Sequence, residues 1–394
     1  MACIKAAYDP SVVALSPTNT GSIAFLNAGD GQVIVVETSL VNNAYSIGSP
    51  NFGAGSFRAT SIAPVLGELI HTYITDASGR VLKHTYIPDY GWMESDGWKT
   101  NFETGQSRLS AGQWQDSQGS VYTVTKASGA VCYSYSSYFR DFPPSCRNFV
   151  TKPAFASELS HISTAQTTNN GLSWVVHYVG LSSAGDLLYA KQWSKSDGTS
   201  YFTQTKLGGT VVFIGEPLIT RKSHTEFDIW AIANTKKLFR RSYTGTVDDG
   251  TWTEWEDLGE YNSLAKPAVA YDAANNTYIM TLDPNNNNKY NFKLYNPQTG
   301  WSPGKTTWTP TLYTEWLTQP TISVYDNGAT RSTDVHVWGI NKNGKLYYSY
   351  LRNGQWWPRS NYYYEVMDVP GIVPSVNVES YPGAQQILAQ DELR

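Results

Sequence analysis

Charge is scarce in this chain: only 16% of its 394 residues are Asp, Glu, Lys or Arg, and the net charge is -4. No basic cluster able to neutralise phosphates stands out, which excludes nucleic acid as an expected partner. Long apolar runs are also missing. No stretch reaches the roughly 18 residues that span a bilayer, so no membrane partner is expected. Cysteine is limited to three residues and histidine to six. The histidines are scattered without ligand spacing, so neither metal nor cofactor is expected. No Gly-x-Ser-x-Gly elbow, P-loop or dinucleotide fingerprint occurs. A sialidase-type box is approached once, at 246–252, one residue short and alone, and reads better as a turn. Paired hydrolytic carboxylates are not in evidence, because Glu158, Glu216 and Glu379 read as strand-edge residues.

What the chain does contain is aromatic and turn-forming: 27 Tyr, 14 Trp and 32 Gly. That composition favours β structure with tight turns. An internal repeat points the same way. Turn segments at 27–31, 76–79, 126–129, 182–185, 233–236, 285–288 and 341–344 are each followed by Val33, Val81, Val131, Leu187, Leu238, Tyr290 or Leu346. Gly and Asn supply the positive φ that such hairpins need. Ahead of most hairpins lies a short apolar strand, often opened by proline: Pro10, Pro153, Pro217, Pro267 and Pro320. Segments at Ser61–Ala63 and Arg108–Ser110 fill the remaining slots. The interval is about 50 residues, enough for four strands. The expected fold is therefore all-β: residues 1–394 form a single β-propeller of about seven four-stranded blades. A partial unit from Pro374 to Leu388 would close the ring with C-terminal strands.

Cys132 and Cys146 fall in one expected blade. They are either a disulfide closing a loop of about 15 residues or two buried thiols. Asn275-Asn276-Thr277 is a glycosylation sequon at Asn275. Both features agree with a secreted mature chain whose signal peptide has been removed, which is the expected localisation.

The segments Asp228-Ile229-Trp230, Leu238-Phe239-Arg240 and Trp252-Thr253-Glu254-Trp255-Glu256-Asp257-Leu258-Gly259 resemble the repeat of bacterial and fungal lectin propellers. Asp334-Val335-His336-Val337-Trp338 with Gly344-Lys345-Leu346-Tyr347 is similar. In the fucose-binding members, the resemblance implies an Arg on the second strand and a Glu on the third of each blade. Here no second strand carries Arg, and only Glu37 sits where the third-strand carboxylate would be. Blades that differ this much suit one asymmetric pocket better than repeated sites.

In length, architecture, cysteine pair and sequon, the chain resembles the fungal hetero-Diels–Alderases of tropolone–sesquiterpenoid biosynthesis, which are degenerate lectin propellers. That resemblance implies a cofactor-independent [4+2] cycloaddition joining polyketide and terpene substrates: a tropolone o-quinone methide and a humulene-type sesquiterpene. Such a reaction needs positioning and fixed donors, not a nucleophile. The expected donors are Arg221, Tyr271 and Tyr325. Trp114, Glu216, Trp316 and Tyr364 are the expected substrate-binding residues. The alternative is a carbohydrate-binding lectin with shallow sites at blade junctions, each with an exposed aromatic for a sugar face. His71, His177 and His336 share second-strand positions and read as packed, hydrogen-bonded side chains.

Overall fold

In the computed structural model, residues 11–371 are described except for segments between strands, chiefly 16–20, 54–58, 94–97, 115–118, 127–130, 138–158, 195–199, 247–249, 328–331 and 359–362. The described strands make seven antiparallel sheets, spanning residues 11–52, 59–102, 106–137, 159–206, 213–260, 268–311 and 321–368. The only helix among the described residues is a single 3-10 turn, Pro284–Asn286.

The fifth sheet shows the plan. Phe213–Arg221 is innermost, followed by Glu226–Ala233 and then Lys237–Thr244. The outer position is shared by two short strands, Thr251–Trp252 and Glu256–Glu260, both paired to the third strand. The break explains the Trp-x-x-Trp spacing, because it turns both indoles toward the sheet. Trp252 packs edge-on against Phe227 at 5.5 Å, and Trp255 lies 5.3 Å from Phe213. The outer position is split in the same way in the first, second, sixth and seventh sheets.

All seven expected hairpin segments fall between second and third strands. Glycines 31, 79, 185 and 344 take positive φ there, between 76° and 82°. Lys236 and Asn287 adopt the same region, with φ of 56° and 52°. Five expected inner strands coincide with Ser11–Leu15, Ala59–Val65, Gln106–Trp114, Ala268–Tyr271 and Thr321–Asn327. The fourth sheet differs. Its inner strand is Leu159–Asn169, and Pro153 lies outside the described residues. Pro217 sits inside its strand, where the pairing shifts between Ile214 and Leu218. A residue without an N–H is tolerated at such an irregularity.

Where side chains are described, neighbouring sheets pack face to face, and the second strands are buried on both faces. Ile70–Asp76 is buried throughout. The apolar clusters straddle junctions: Ala24, Leu26 and Val36 of the first sheet meet Trp338 and Tyr348 of the seventh. Val179 and Leu187 of the fourth meet Phe227 and Ile229 of the fifth. Trp230 and Leu238 of the fifth meet Ile279 of the sixth. This is a closed ring of radially stacked sheets, a β-propeller.

The ring closes where Ser11–Leu15 packs on Thr321–Asn327. Ser22 Oγ meets Ser323 Oγ at 2.9 Å and accepts from Trp338 Nε1 at 2.9 Å. Tyr45 donates to Asp334 Oδ2 at 2.8 Å. Among the described residues, the first and last sheets are each built from their own stretch of chain, without an exchanged strand. Residues 374–388, expected to complete the ring, lie outside the described residues.

Candidate site between the fifth and sixth sheets

A cleft of about 360 Å³ opens between the fifth and sixth sheets. Its walls come from the end of the fifth sheet (Glu260) and the connection after it (Tyr261, Asn262), the second-to-third-strand hairpin of the sixth (Asp283, Asn286, Asn291), the segment between its outer strands (Thr306, Thr307, Trp308) and the short strand that follows (Pro310).

Two devices hold that last segment against the fifth sheet. Gly259 has φ of 90°, and a Cβ there would collide with the Thr306 carbonyl oxygen. Lys293 is fully buried. Its ammonium donates to the carbonyl oxygens of Leu258 (2.8 Å) and Lys305, and lies 4.5 Å from the centroid of Trp308 and 5.7 Å from that of Trp301. Burial pulls its pKa down to about 8, with the charges of Glu256 and Asp257 opposing the shift.

Asp283 organises the opposite wall. Its Oδ1 accepts from Asn262 Nδ2 and from the Asn285 N–H, both at 3.1 Å, and its Oδ2 accepts from Asn291 Nδ2 at 3.0 Å. Asn291 is buried, and among the described residues its Oδ1 has no partner; the indole N–H of Trp308 has none either. Tyr261, at the base, donates to the Ala265 carbonyl at 2.8 Å and lies 6.3 Å from Trp308, centroid to centroid. Burial raises its pKa, and the nearby Glu216 charge adds to the rise.

Elsewhere along the same junction lies a closed polar cluster. Arg240 Nη2 meets Asp228 Oδ2 at 3.1 Å, with both side chains buried. Asp228 also accepts from Ser242 Oγ at 2.6 Å and from the Tyr271 hydroxyl at 2.9 Å. The guanidinium lies over Tyr295 of the sixth sheet, 5.0 Å from its centroid. Where the lectin resemblance implies a second-strand Arg and a third-strand Glu, the fifth sheet carries Asp228 and Arg240. The signs are exchanged and the space is filled by the protein's own groups.

The expected site residues fall into groups. Arg221, Tyr271 and Tyr325 sit toward the same end of the inner strands of three successive sheets, paired with Phe227, Thr277 and Asp334. That end is opposite the cleft, because Ala268, at the cleft end, pairs with Met280. Tyr271 is committed between sheets: its hydroxyl bonds Thr220 at 2.6 Å as well as Asp228. Burial and the Asp228 charge keep it protonated. Arg221 Nε donates to the Ser223 carbonyl at 3.1 Å. Trp316 is buried and stacked on Tyr290 at 4.2 Å and 8°, as core. Tyr364 lies on an outer strand, stacked on Tyr348 at 6.2 Å. Glu216 stands at the strand irregularity on the cleft side, where its N–H donates to the Leu264 carbonyl at 3.0 Å. Trp114 ends the inner strand Gln106–Trp114, with its side chain outside the described set. Cys132 lies on a described strand, but Cys146 and the pairing fall outside the described residues. Asn275 occupies the turn between the sixth sheet's first two strands with φ of 63°.

The histidines are packed. His177 bonds Tyr189 and Thr167, both at 2.7 Å, and His336 bonds Tyr348 at 2.6 Å. Burial, reinforced by Lys191 and Arg352 respectively, lowers both pKa values to about 3. Glu37 accepts from the Tyr86 hydroxyl at 2.6 Å across the first junction. Among the described residues, no group of three or more His, Cys, Asp or Glu is placed to hold a metal, and no helix is long and apolar enough to cross a membrane.

The class defined by this architecture is the single-domain all-β propeller. Among solved structures, the chain is similar to the BP39L lectin from Burkholderia pseudomallei, with 14% identity, a TM-score of 0.65, and coverage of 89% of this chain and 98% of that one. It is also similar to AofleA from Arthrobotrys oligospora (10% identity, TM-score 0.53, 79% and 87% covered). A third is a point mutant of the Aleuria aurantia lectin in complex with Fucalpha1-6GlcNAc (12% identity, TM-score 0.52, 80% and 97% covered). At such identities the likeness shows the fold alone. The Aleuria lectin is described as six-bladed, whereas the described strands here form seven sheets. No family model and no curated protein matches the sequence.

Sequence reasoning missed Asp283, Asn291 and Trp308. The Asn-rich segment 285–288 reads only as a turn, and Trp308, which stands between split outer strands as Trp255 and Trp98 do, is separated from Trp301 by a longer segment than Trp252 is from Trp255.

Proposed function

We propose that this protein is a carbohydrate-binding propeller of the lectin type and that the cleft between the fifth and sixth sheets takes the sugar. The observation that carries this reading is the pairing of Trp308 with a wall of amide and carboxylate groups in one shallow opening. A sugar ring presents C–H groups to an aromatic surface and hydroxyls to acceptors, and this cleft offers both. The likeness to lectins of the same fold supports the reading.

These observations favour carbohydrate binding over cycloaddition. The cycloaddition reading requires Arg221, Tyr271, Tyr325 and Trp316 around one substrate, yet Tyr271 is bonded between sheets and Trp316 is core. The test is a glycan array followed by calorimetry on the strongest hit. Binding of one sugar class, weakened about tenfold or more by Trp308→Ala (about 1.4 kcal/mol), is the expected result. A silent array overturns the proposal. A silent array together with a quinone methide–humulenol product ratio that departs from the protein-free control would favour the cycloaddition instead.

A further inference from the structure

Lys293 is a cation in a costly place. Its side chain is fully buried, and among the described residues no carboxylate pairs with it. Glu256 accepts from the Trp301 indole at 2.8 Å and lies 3.8 Å from Arg240 and 3.6 Å from Lys305, while Asp257 is taken by Lys237 at 2.6 Å. A buried charge without a counter-charge lowers stability, and a methionine would fill the same space at a smaller penalty. What only an ammonium supplies is three donors and no acceptor. Two of them go to the carbonyl oxygens of Leu258 and Lys305. The nitrogen stands over the Trp308 ring, 4.5 Å from its centroid, which leaves the third for the indole face.

The indole stands in an exposed stretch: Lys305, Thr306 and Thr307 before it and Thr309 after it are all exposed. Its own N–H has no partner among the described residues. Trp308 lines the cleft and Lys293 does not, so the ammonium reaches a bound sugar only through the indole. A neutral amine keeps two N–H groups for the two carbonyls and turns its lone pair on the electron-rich ring face. One proton thus decides whether the ring is held or repelled.

Resting on the carbohydrate reading above, we infer that Lys293 is the positioning residue of the cleft: its ammonium sets the Trp308 indole as the wall on which the sugar stacks, and removing one proton from it releases that wall and weakens sugar binding. Burial pulls the Lys293 pKa down to about 8, with the charges of Glu256 and Asp257 opposing the shift. The ammonium therefore prevails below about pH 7 and the neutral amine above about pH 9, and affinity falls as the pH rises. The other titratable groups around this point are Lys305 of the same segment and Arg240 and Lys237 beside the two carboxylates. Tyr295 lies further along the Lys293 strand, against Trp301, and Glu260, Tyr261 and Asp283 line the cleft. Burial raises the Tyr261 pKa, away from this range.

The experiment measures affinity by calorimetry at about pH 6.5 and about pH 9.5, on either side of the transition. The probe is the strongest glycan-array hit in a form without a free amine, so that the sugar itself does not titrate. The protein is expected to bind it about fivefold tighter at the lower pH, the scale of one partly buried cation–π contact. Lys293→Met should fold, and should bind at both pH values as weakly as the parent does at the higher one. A second measurement needs no Lys293 variant: the fluorotryptophan resonance of Trp308, assigned by its absence in Trp308→Phe, should titrate with the same midpoint as the affinity. If the parent binds equally at both pH values, if Lys293→Met keeps the pH dependence, or if the Trp308 resonance does not titrate, the inference falls while the carbohydrate reading stands. If the array is silent, both fall.

Discussion

Asp228 and Arg240 hold in the fifth sheet the places that His177 and Tyr189 hold in the fourth and His336 and Tyr348 in the seventh: a second-strand group meets a third-strand group twelve positions on. The repeat has kept a buried polar pair at this point while changing its chemistry. In the fifth sheet the pair is ionic, with Asp228 also serving Ser242 and Tyr271. Asp228→Asn leaves the Arg240 guanidinium buried without its nearest counter-charge and should cost about 3 kcal/mol. Replacing both residues by leucine should cost less than the single change. Urea titrations of the three proteins measure this, and equal losses would mean that the pair does not act as a unit.

His177 and His336 have pKa values of about 3 in the fold against an ordinary 6.5. Between those values the unfolded chain takes up protons that the folded chain refuses. Their contribution is therefore fully present above about pH 6.5 and is lost as the pH falls toward about 3, at about 1.4 kcal/mol per pH unit per residue. In His336→Gln the acid slope should be shallower, so the gap from the parent should narrow between about pH 7 and about pH 4.5. Denaturant midpoints at the two pH values provide the check. A gap that stays constant would show that His336 titrates normally.

Trp316 and Trp308 make opposite predictions. Trp316 is stacked on Tyr290, and its ring edge meets Tyr347 at 6.1 Å. Its replacement by alanine should lower stability by about 3–5 kcal/mol and leave sugar affinity per folded molecule within about threefold, under about 1 kcal/mol. Trp308→Ala should act mainly on affinity. Thermal denaturation and calorimetry on both variants separate the roles, and a reversal of the pattern would remove Trp308 from the site.

Gly259→Ala should displace the segment carrying Trp308. Its φ of 90° and its closeness to the Thr306 carbonyl leave no room for a methyl group. A loss of about 1–3 kcal/mol is expected, together with weaker sugar binding. Full affinity in a destabilised variant would show that the segment settles without help from Gly259.

The ring was legible in the sequence because its signals are local. Gly31, Gly79, Gly185 and Gly344 mark hairpins through positive φ, and the following apolar residue begins a buried strand. Lys236 shows that the conformation is demanded by the repeat even without glycine. The fourth sheet's inner strand was not legible because it is polar: Ser163, Thr164 and Thr167 are buried there, with Ser163 Oγ accepting from the Ile219 N–H at 3.2 Å. The Pro-apolar triplet upstream has more of a strand's apolar character than this segment does. The cleft was not legible because it belongs to no single repeat. Glu260 comes from one sheet, Asp283 and Asn291 from a hairpin of the next, and Trp308 from a segment between outer strands. Their meeting depends on how two sheets stack.

Three junctions are bridged by a tyrosine of one sheet reaching a carboxylate of the sheet before it in the ring: Tyr86 to Glu37, Tyr271 to Asp228, and Tyr45 to Asp334. Seven sheets of similar shape could in principle dock in wrong orders while the chain folds, since apolar faces discriminate poorly among themselves. A sheet docked out of turn would deprive one of these carboxylates of its tyrosine hydroxyl, although Asp228 and Asp334 would keep the arginines of their own sheets, Arg240 and Arg352. The three bridges differ in which strand supplies the tyrosine: the third in the second sheet, the first in the sixth and an outer one in the first. The three bridges are therefore not interchangeable in geometry, and each fits only the neighbour it has in the ring.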